Sequence, residues 1–427
     1  MYGQIGARTS YIYWKDIAAA TTATGRKQLE IAQKYCEDER NFPQRMANGS
    51  TVYLRNKVVY GDSVVGETPL LVRNRESGLV DMIRIDEMGG MWKSYEEFKP
   101  WDTNRREKEQ SATSYDVWTD KGWSKIRRVI RHKTSKTIYR VSTHCGLVDV
   151  TEDHSLLSPK RALIKSKDAV VGTELLHSYP PMDSHPTITL DELNAYIPKE
   201  VDEMKAYVDG MFYGDGSCGR YDSKWGVKYS WAINNQNRDL LISLQDCIRE
   251  SYGYNTKILE TMGSSAVLKL VPVGSIKTPV NDFRSRFYNS FREKRVPIEY
   301  LNGTTGTIKA FIAGYYAADG ARRGSNIRCS NKGQQGSAHL NYLFRCLGYN
   351  TSIYTRKDKT NMFKITMSHK VGKSTYRKSP TVVKSIYPLR KTGDDEYVYD
   401  VETEEGVFQA GIGSIIVKNT DSVFVKY

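Results

Sequence analysis

The chain is 427 residues long, so two to four domains are expected. It has no run of about 18 apolar residues, so we expect no membrane partner, and its six scattered cysteines lack a C-x-x-C pair, which argues against a zinc site and a disulfide framework. The net charge of +14 favours a polyanionic partner, and nucleic acid is the first candidate.

Residues 1–62 predict a small α+β segment. A helix is expected from Lys15 to about Glu39, because alanines and spaced apolar residues favour it. A turn at Asn48-Gly49 and a strand at Lys57–Tyr60 follow.

Two strings in this segment resemble the fingers helix and the following palm helix of family B DNA polymerases. They are Tyr2-Gly3-Gln4-Ile5-Gly6-Ala7 and the stretch from Ile17 to Arg26. The resemblance implies that Tyr2 and Gly3 lie beside the nascent base pair and bind nucleotide. The fingers lysine and the first aspartate motif of that family are missing, so we expect no polymerisation by this segment alone.

Residues 63–195 predict an all-β unit, because short strands recur between turn residues. The charged stretch from Tyr95 to Ser111 is expected to be an exposed insertion. Thr151 and His154 form a Thr-x-x-His arrangement directly after an apolar strand. An imidazole can protonate a departing amide nitrogen, and a hydroxyl can stabilise an oxyanion. A surface histidine after a strand is the alternative.

Residues 196–378 contain an internal duplication. Two apolar helix patterns end in Asp-Gly, at Asp215 and at Asp319. Further on, Gly-Tyr-Asn-Thr occurs at Gly253 and again at Gly348, and each copy is followed at the same distance by a lysine. Small residues at three- and four-residue spacing would let the two helices approach closely and bring both carboxylates to one place.

This pattern resembles the two-motif LAGLIDADG homing endonucleases. The resemblance implies Mg²⁺ held by Asp215 and Asp319, cleavage of double-stranded DNA, and Lys294 as a group that stabilises charge or positions water. Three lysines remain open as its symmetry-related partner: Lys370, Lys373 and Lys384. Basic and aromatic residues interleave around Arg220 and Lys228, and strand alternation is expected to put the basic ones on one DNA-binding face. Helices that merely pack two subdomains, or a nuclease that has lost its activity, are the alternatives.

Residues 379–419 predict a return to β structure, with a hairpin around Glu404-Glu405-Gly406 and a closing strand at 413–417. These residues resemble the two C-terminal motifs of inteins. The resemblance implies that Asp400 is the motif carboxylate that directs protons between two splice junctions.

The flanks of the insert carry the remaining motif. Removal of residues 63–419 would join the ends as Tyr-Gly-Asp-Thr-Asp-Ser, which resembles the metal-binding turn of family B DNA polymerases. Asp62 and Asp421 would then hold Mg²⁺ after splicing. Ser63, Asn419 and Thr420 form the residue set of an intein: Ser63 and Thr420 as successive nucleophiles, and Asn419 as the residue that cyclises. Splicing itself needs no cofactor.

Two positions depart from the intein pattern. Lys418 stands where that family has a histidine before the terminal asparagine, and Val407 stands where it has another. Because a lysine is a poor proton shuttle near neutral pH, we expect slow cleavage after Asn419 or transfer of the role to His154 or another residue.

The predicted fold is therefore multidomain: a horseshoe-shaped all-β Hint splicing domain, an inserted α/β LAGLIDADG endonuclease domain, and a small α+β polymerase fragment. The predicted domains are 1–62 (polymerase), 63–195 and 379–419 (splicing), 196–378 (endonuclease) and 420–427 (polymerase). Expected partners are double-stranded DNA at the homing site in the polymerase gene and the rest of the polymerase. The chain is expected to be monomeric and intracellular, in a nucleus or a cytoplasmic virus factory. The rival functions are a nucleic-acid-binding polymerase fragment with an inert insertion and a stand-alone homing endonuclease.

Overall fold

The computed structural model describes most of the predicted insert and little of its flanks. The described residues are 43–45, 51–53, 63–94, 108–182, 188–224, 226–260, 267–323, 326–356, 358–368, 379–393 and 396–419. The predicted helix from residue 15 to 39 and the candidate residues Tyr2, Gly3, Asp62, Thr420 and Asp421 lie outside them. The chain divides into two compact units: Met1–Gly61 with Thr420–Tyr427, and Asp62–Asn419.

In the first unit, β1 (Pro43–Arg45) and β2 (Thr51–Tyr53) pair as antiparallel strands. Their pairing brackets the Asn48-Gly49 turn of the sequence, as expected for a hairpin.

The second unit contains two blocks that we name by residues. The outer β block comprises residues 63–195 and 379–419, and the central block comprises residues 196–378. The first part of the outer β block contains β3 (Val64–Val65), β4 (Pro69–Asn74), β5 (Val80–Arg84), β6 (Lys93–Ser94), β7 (Lys108–Ser111), β8 (Tyr115–Thr119), β9 (Gly122–Lys133), β10 (Thr137–Ser142), β11 (Gly146–Thr151), β12 (Ser155–Leu157), β13 (Leu163–Lys165) and the helix α1 (Leu190–Asn194).

The central block alternates helices with pairs of strands. Its elements are α2 (Val201–Asp215), β14 (Gly216–Ser223), β15 (Gly226–Asn235), α3 (Arg238–Tyr252), β16 (Thr256–Glu260), β17 (Leu268–Pro272), α4 (Lys277–Phe287), α5 (Ile298–Leu301), α6 (Thr305–Asp319), β18 (Ala321–Arg323), β19 (Asn326–Lys332), α7 (Gln334–Cys346), β20 (Asn350–Arg356) and β21 (Lys359–Ser368). The outer β block then resumes with β22 (Ser385–Lys391), β23 (Tyr397–Thr403), β24 (Val407–Gln409), β25 (Ile412–Gly413) and β26 (Ile416–Lys418).

Large antiparallel sheets build the outer β block. The longest runs in the order β22-β10-β11-β3-β23-β9-β8-β4-β5, and a four-stranded sheet runs β13-β12-β26-β24. Strands from both ends of the insert occur in each of these sheets: β3 pairs with β23, and β12 pairs with β26. The two ends of the insert therefore lie side by side. The predicted exposed insertion is shorter than expected, because Lys108–Ser111 pair with β9.

The central block confirms the duplication. Each half has a four-stranded sheet of the same order, β14-β15-β17-β16 and β18-β19-β21-β20. The repeated lysines occupy equivalent positions, since Lys269 lies between Asn234 and Leu259 while Lys364 lies between Ser330 and Tyr354. None of the described helices is long and apolar enough to cross a membrane.

A buried carboxylate anchors α2 to its neighbours. Asp209 is fully buried and accepts hydrogen bonds from Tyr300 Oη at 2.6 Å, from Tyr252 and from Arg286. A buried charge is tolerated only when it is paired and hydrogen-bonded in this way. The network fixes α2 against α3, α4 and α5.

Candidate functional site

The predicted first nucleophile lies between two strands that bring predicted partners to it. Val64 pairs with Val150 on β11 and with Tyr399 on β23. The same registers, extended by one residue, place Ser63 beside Thr151 and Asp400, with side chains on a shared face. The Ser63 N–H lies 3.3 Å from Thr151 Oγ1, and the Thr151 N–H donates to the Ser63 carbonyl oxygen at 2.9 Å.

A tight turn carries His154 from the same strand. The His154 N–H donates to the Thr151 carbonyl oxygen at 2.9 Å. Ser166 secures this turn, because its Oγ donates to that carbonyl at 2.7 Å and its N–H donates to the His154 carbonyl at 2.9 Å. All three residues are fully buried. Sequence reasoning missed Ser166, since it lies 12 residues beyond His154 with no local motif around it.

The second strand pair brings the other end of the insert to His154. Leu156 pairs with Val417, so the strand that follows His154 lies beside the strand that leads to Asn419. The Asn419 N–H donates to the Gly406 carbonyl oxygen at 3.1 Å. With its side-chain amide oriented to satisfy both neighbours, Asn419 Nδ2 donates to Gly406 O at 2.8 Å and Oδ1 accepts from the Thr403 N–H at 3.1 Å. Thr403 and Gly406 were not predicted, because their roles depend on strand pairing.

The reactive side-chain atoms are enclosed. Ser63 Oγ and both ring nitrogens of His154 are buried without hydrogen-bond partners among the described residues. Burial lowers the pKa of His154 to about 3, because a charged imidazolium is disfavoured away from water. The imidazole is therefore neutral at rest, and it must take up a proton before it can give one to an amide nitrogen.

The buried histidines predict an acid sensitivity. Burial also lowers the pKa of His177 to about 3. Below an unfolded-state pKa of about 6.5, the unfolded chain then binds the proton that the folded chain refuses, so stability falls as pH falls. Between about pH 6 and pH 4, the free energy of unfolding of a splicing-inactive parent should fall with pH more steeply than that of the same chain with His177→Asn. The difference in slope should be about 1.4 kcal/mol per pH unit. Urea unfolding of parent and variant measures the difference, and parallel stability curves would contradict it.

The other predicted positions of the outer β block lie at the same place. Asp400 is buried on β23 beside Ser63. Lys418 pairs with Val407, so the two positions that depart from the intein pattern are cross-strand neighbours. Lys418 and Val407 therefore lie together, directly next to Asn419.

In the central block, glycines let α2 and α6 approach closely. A Cβ at Gly210 would lie 2.0 Å from the Phe311 carbonyl oxygen, and a Cβ at Gly314 would lie 2.1 Å from the Tyr207 carbonyl oxygen. Either methyl group would clash with the opposite backbone. The prediction of two helices in close contact is confirmed.

The helices end together at the predicted acids. Asp215 and Asp319 are the last residues of α2 and α6. Burial raises the pKa of both, and the charge of Asp319 raises the pKa of Asp215 further. The Asn235 side chain donates to Asp215 Oδ2 at 2.8 Å. Two partly buried carboxylates at the negative ends of two helix dipoles repel each other, so this donor set suits a divalent cation.

The side chain of Lys294 also reaches the C-terminal end of α2, where backbone carbonyl oxygens bind its ammonium group. Its Nζ donates to the carbonyl oxygens of Phe212 at 3.0 Å, Tyr213 at 2.9 Å and Gly216 at 2.6 Å. Lys294 thus caps the C-terminal end of α2, and burial lowers its pKa to about 8. Its positive charge lies near both acids.

Of the three lysines left open as the partner of Lys294, Lys384 is the one that lies among the described residues. Lys384 donates to the Ile353 carbonyl oxygen and lies 4.2 Å from the centre of the Tyr354 ring. The other two candidates, Lys370 and Lys373, lie outside the described residues.

Each sheet of the central block exposes one basic face. The prediction that the basic residues around Arg220 and Lys228 share one face is wrong. Arg220 pairs with Tyr229 and Tyr221 pairs with Lys228, so Arg220 and Lys228 point to opposite faces of their hairpin. Lys228 instead shares its face with Lys269. Across both halves these faces present Lys228, Lys257, Lys269, Arg328, Lys332 and Lys364. Such faces suit a phosphate backbone.

Comparisons with known proteins find relatives over the whole chain and structural neighbours over part of it. Residues 1–71 match the family model of DNA polymerase family B. The DNA polymerase of Acanthamoeba polyphaga mimivirus is 46% identical over 438 residues, which cover 100% of this chain and 23% of that protein. The DNA polymerase of Thermococcus sp. (strain GE8) is 24% identical over 481 residues, covering 99% of this chain and 26% of that protein. The chain thus spans about a quarter of these relatives.

Other matches cover only part of the chain. The DNA polymerase of Pyramimonas orientalis virus is 57% identical over 51 residues, or 12% of this chain. Among solved structures, I-DmoI in complex with DNA and Mn has a TM-score of 0.31 and 20% identity, covering 40% of this chain and 91% of that one. The N-terminal LAGLIDADG domain of DUF199/WhiA has a TM-score of 0.29 and 12% identity, covering 44% of this chain and 89% of that one. Residues 1–71 therefore resemble family B DNA polymerases, and over its whole length the chain is similar to segments of the mimivirus and Thermococcus DNA polymerases.

Proposed function

We propose that the chain is a self-splicing precursor. Residues 63–419 excise themselves, and residues 1–62 become joined to residues 420–427. The outer β block is a Hint splicing domain, and the central block is a LAGLIDADG endonuclease that cuts double-stranded DNA. The host protein is a DNA-directed DNA polymerase.

One observation carries the proposal. The pairing of β3 with β11 and of β12 with β26 brings together strands that lie next to Ser63, Thr151, His154 and Asn419 in the chain, and all four residues are buried. Residues 88 and 356 positions apart from Ser63 (151 − 63 and 419 − 63) have no reason to meet in an inert insertion.

The first step uses the contacts around Ser63. Its Oγ attacks the Asp62 carbonyl carbon; the amide C–N bond breaks, an ester forms, and the proton of Oγ moves to the Ser63 nitrogen. Neutral His154 is the candidate to accept that proton and deliver it, which requires its ring to come within hydrogen-bond reach of Ser63, because neither Ser63 Oγ nor the ring nitrogens have a partner in the part of the chain that the structure describes. The Thr151 hydroxyl, held beside the Ser63 nitrogen, steadies the departing amide.

The later steps use Thr420 and Asn419. Thr420 Oγ attacks the ester, so residues 1–62 move onto its side chain and Ser63 regains its hydroxyl. Asn419 Nδ2 then attacks the Asn419 carbonyl carbon and releases the Thr420 amine, leaving a cyclic imide. An acyl shift from oxygen to nitrogen gives a normal peptide bond. The Gly406 carbonyl, as acceptor of an Nδ2 hydrogen, supports the attacking nitrogen where the intein family has a histidine.

The proposed endonuclease and the proposed spliced polymerase would each bind Mg²⁺. In the central block Asp215 and Asp319 would hold it, where it would supply charge stabilisation for phosphodiester hydrolysis. Lys294 balances the acids, and the basic sheet faces hold the DNA backbone. In the spliced polymerase, Asp62 and Asp421 would hold Mg²⁺, and Tyr2 with Gly3 would contact the nucleotide.

Ser63→Ala tests the proposal. The parent chain should convert itself into a free 63–419 fragment over hours, whereas the variant should not form the ester that starts splicing, since it has no hydroxyl to attack with. Ser124→Ala is the matched control, because Ser124 is also a buried serine of the outer β block. A time course on denaturing gels gives the answer; a parent chain that never converts would refute the proposal.

Lys418→His tests the departure next to Asn419. A histidine can move protons near neutral pH, so the variant should release the C-terminal segment about tenfold faster. Lys418→Gln controls for loss of the charge alone. The measurement is the rate of cleavage after Asn419 in a Ser63→Ala background, and an unchanged rate in Lys418→His would show that the hairpin backbone already supplies what is needed.

A further inference from the structure

The helix α7 is buried in a way that the nuclease fold does not require. Its residues Gln334, Gln335 and His339 are polar and buried. The repeat register equates Asn234 with Ser330, an offset of 96 positions (330 − 234), so the counterparts on α3 are Arg238, Asp239 and Ser243. Those three residues are exposed. The helix α7 therefore packs against a second part of the chain, whereas the same positions of its copy α3 face solvent.

That second part is the outer β block. His339 Nε2 lies 3.1 Å from Asp81 Oδ1, and the Gln335 side chain donates to the Met82 carbonyl oxygen at 3.0 Å. Both contacts fall on β5. The apolar core is also continuous across the two blocks, since Leu71 belongs to the same cluster as the helices of the central block.

Gln334 reaches further, to the strands that carry the splice residues. Its Nε2 donates to Asp149 Oδ2 at 2.9 Å and lies 3.5 Å from Glu67 Oε1. Asp149 is two residues before Thr151 on β11, and Glu67 follows β3, which begins next to Ser63. One amide from α7 thus bridges β11 and the turn that follows β3, and the pairing of these two strands positions the first nucleophile.

The central block also completes the ion pair behind those strands. Asp149 accepts two hydrogen bonds from Arg140, at 2.7 and 2.6 Å, and both side chains are buried. The remaining Arg140 nitrogen donates to Thr360 O at 2.6 Å and to Thr355 Oγ1 at 3.2 Å. Without the central block, a buried cation and a buried carboxylate would each lose partners, which costs about 1–3 kcal/mol per unsatisfied group.

We propose that Gln334, a residue of the endonuclease block, is a positioning residue for the first splicing step, and that the second half of this block is a structural part of the splicing site. The inference rests on the proposed function. It implies that the endonuclease cannot be removed from this chain without loss of splicing, even where DNA cleavage is not needed.

The test separates the two splice junctions. Gln334→Glu places a third carboxylate beside Glu67 and Asp149, while Gln334→Met removes the hydrogen bonds without adding charge. Ester formation at Ser63 is measured as hydroxylamine cleavage in an Asn419→Ala, Thr420→Ala background. Cyclisation of Asn419 is measured in a Ser63→Ala background. Arg238→Gln, at the exposed counterpart on α3, is the matched control.

Gln334→Glu should slow ester formation about tenfold or more, and Gln334→Met should slow it less, because small displacements of a nucleophile carry large rate penalties. Cyclisation of Asn419 should stay within about twofold in both variants, since Gln334 touches the Ser63 side alone. Unchanged ester formation in both variants, or equal slowing of the two steps, would overturn the inference. A parent chain that hydroxylamine never cleaves would overturn the proposed function itself, and the inference with it.

Discussion

Replacing Asn419 with alanine is expected to stop the reaction after the first two acyl transfers. Residues 1–62 should then accumulate on the Thr420 side chain as a branched chain of nearly unchanged mass, because alanine has no amide to attack the backbone carbonyl. Release of the free 63–419 fragment should fall by about a thousandfold or more, as expected when the reacting group itself is removed. Intact mass spectrometry and mild base, which hydrolyses the branch ester, measure the outcome.

The matched control for that variant is Asn194→Ala, at an exposed asparagine at the end of α1. It should splice at the parent rate. Release of the 63–419 fragment from the Asn419→Ala chain at the parent rate would contradict the assignment of Asn419, because another residue would then be cutting the junction.

The second large effect concerns the central block. Asp215→Asn and Asp319→Asn should each reduce double-strand cleavage by about a hundredfold or more, since each carboxylate would serve the cut of one strand. On a supercoiled plasmid that carries the joined coding sequence of residues 1–62 and 420–427, the parent protein with Mg²⁺ should give linear DNA. Each single variant should give nicked circles, and the double variant should leave the plasmid supercoiled.

A control variant and a binding measurement accompany this test. Asp222→Asn changes an exposed acid of the same half and should cut like the parent. All variants should bind the plasmid equally, because the lysines of the sheet faces are untouched and dominate backbone affinity. Linear product at the parent rate from either variant would exclude the carboxylate pair, and a parent chain that binds but does not cut would show that the nuclease has lost its activity.

The sequence alone was sufficient where chemistry is local. In the proposed mechanism Ser63 and Asn419 each attack a bond next to themselves and Thr420 follows the bond that Asn419 breaks, so these positions can be read from the sequence without a fold. Asp215 and Asp319 were predictable because small residues and Asp-Gly recur in both copies of a duplication. The structure adds that the helices bearing these acids touch through Gly210 and Gly314.

The rest depends on which strands pair. Ser166 secures the Thr151–His154 turn from 12 residues away, and nothing in the sequence fixes that contact. The support of Asn419 by Thr403 and Gly406 follows from the pairing of β24 with β26. The low pKa of His154 results from its burial in the folded chain. The opposite faces of Arg220 and Lys228 depend on a hairpin register that alternation alone leaves undetermined.

Burial of α7 shows the same limit on a larger scale. A duplicated helix predicts duplicated surroundings, yet Gln335 and His339 of α7 contact the outer β block while their counterparts on α3, Asp239 and Ser243, are exposed. In sequence, the polar residues of α7 resemble an exposed helix face. The fold shows that Gln334 instead contacts Asp149 and that His339 contacts Asp81.

The most direct test of the central claim is the mass of the products that the purified parent chain forms by itself. Self-splicing predicts two species in equal amounts: the 63–419 fragment, and a peptide in which Asp62 is joined to Thr420 by a normal bond, confirmed by fragmentation across Tyr-Gly-Asp-Thr-Asp-Ser. A single species of the full 427-residue mass at all times, or separate 1–62 and 420–427 peptides without the joined product, would contradict it.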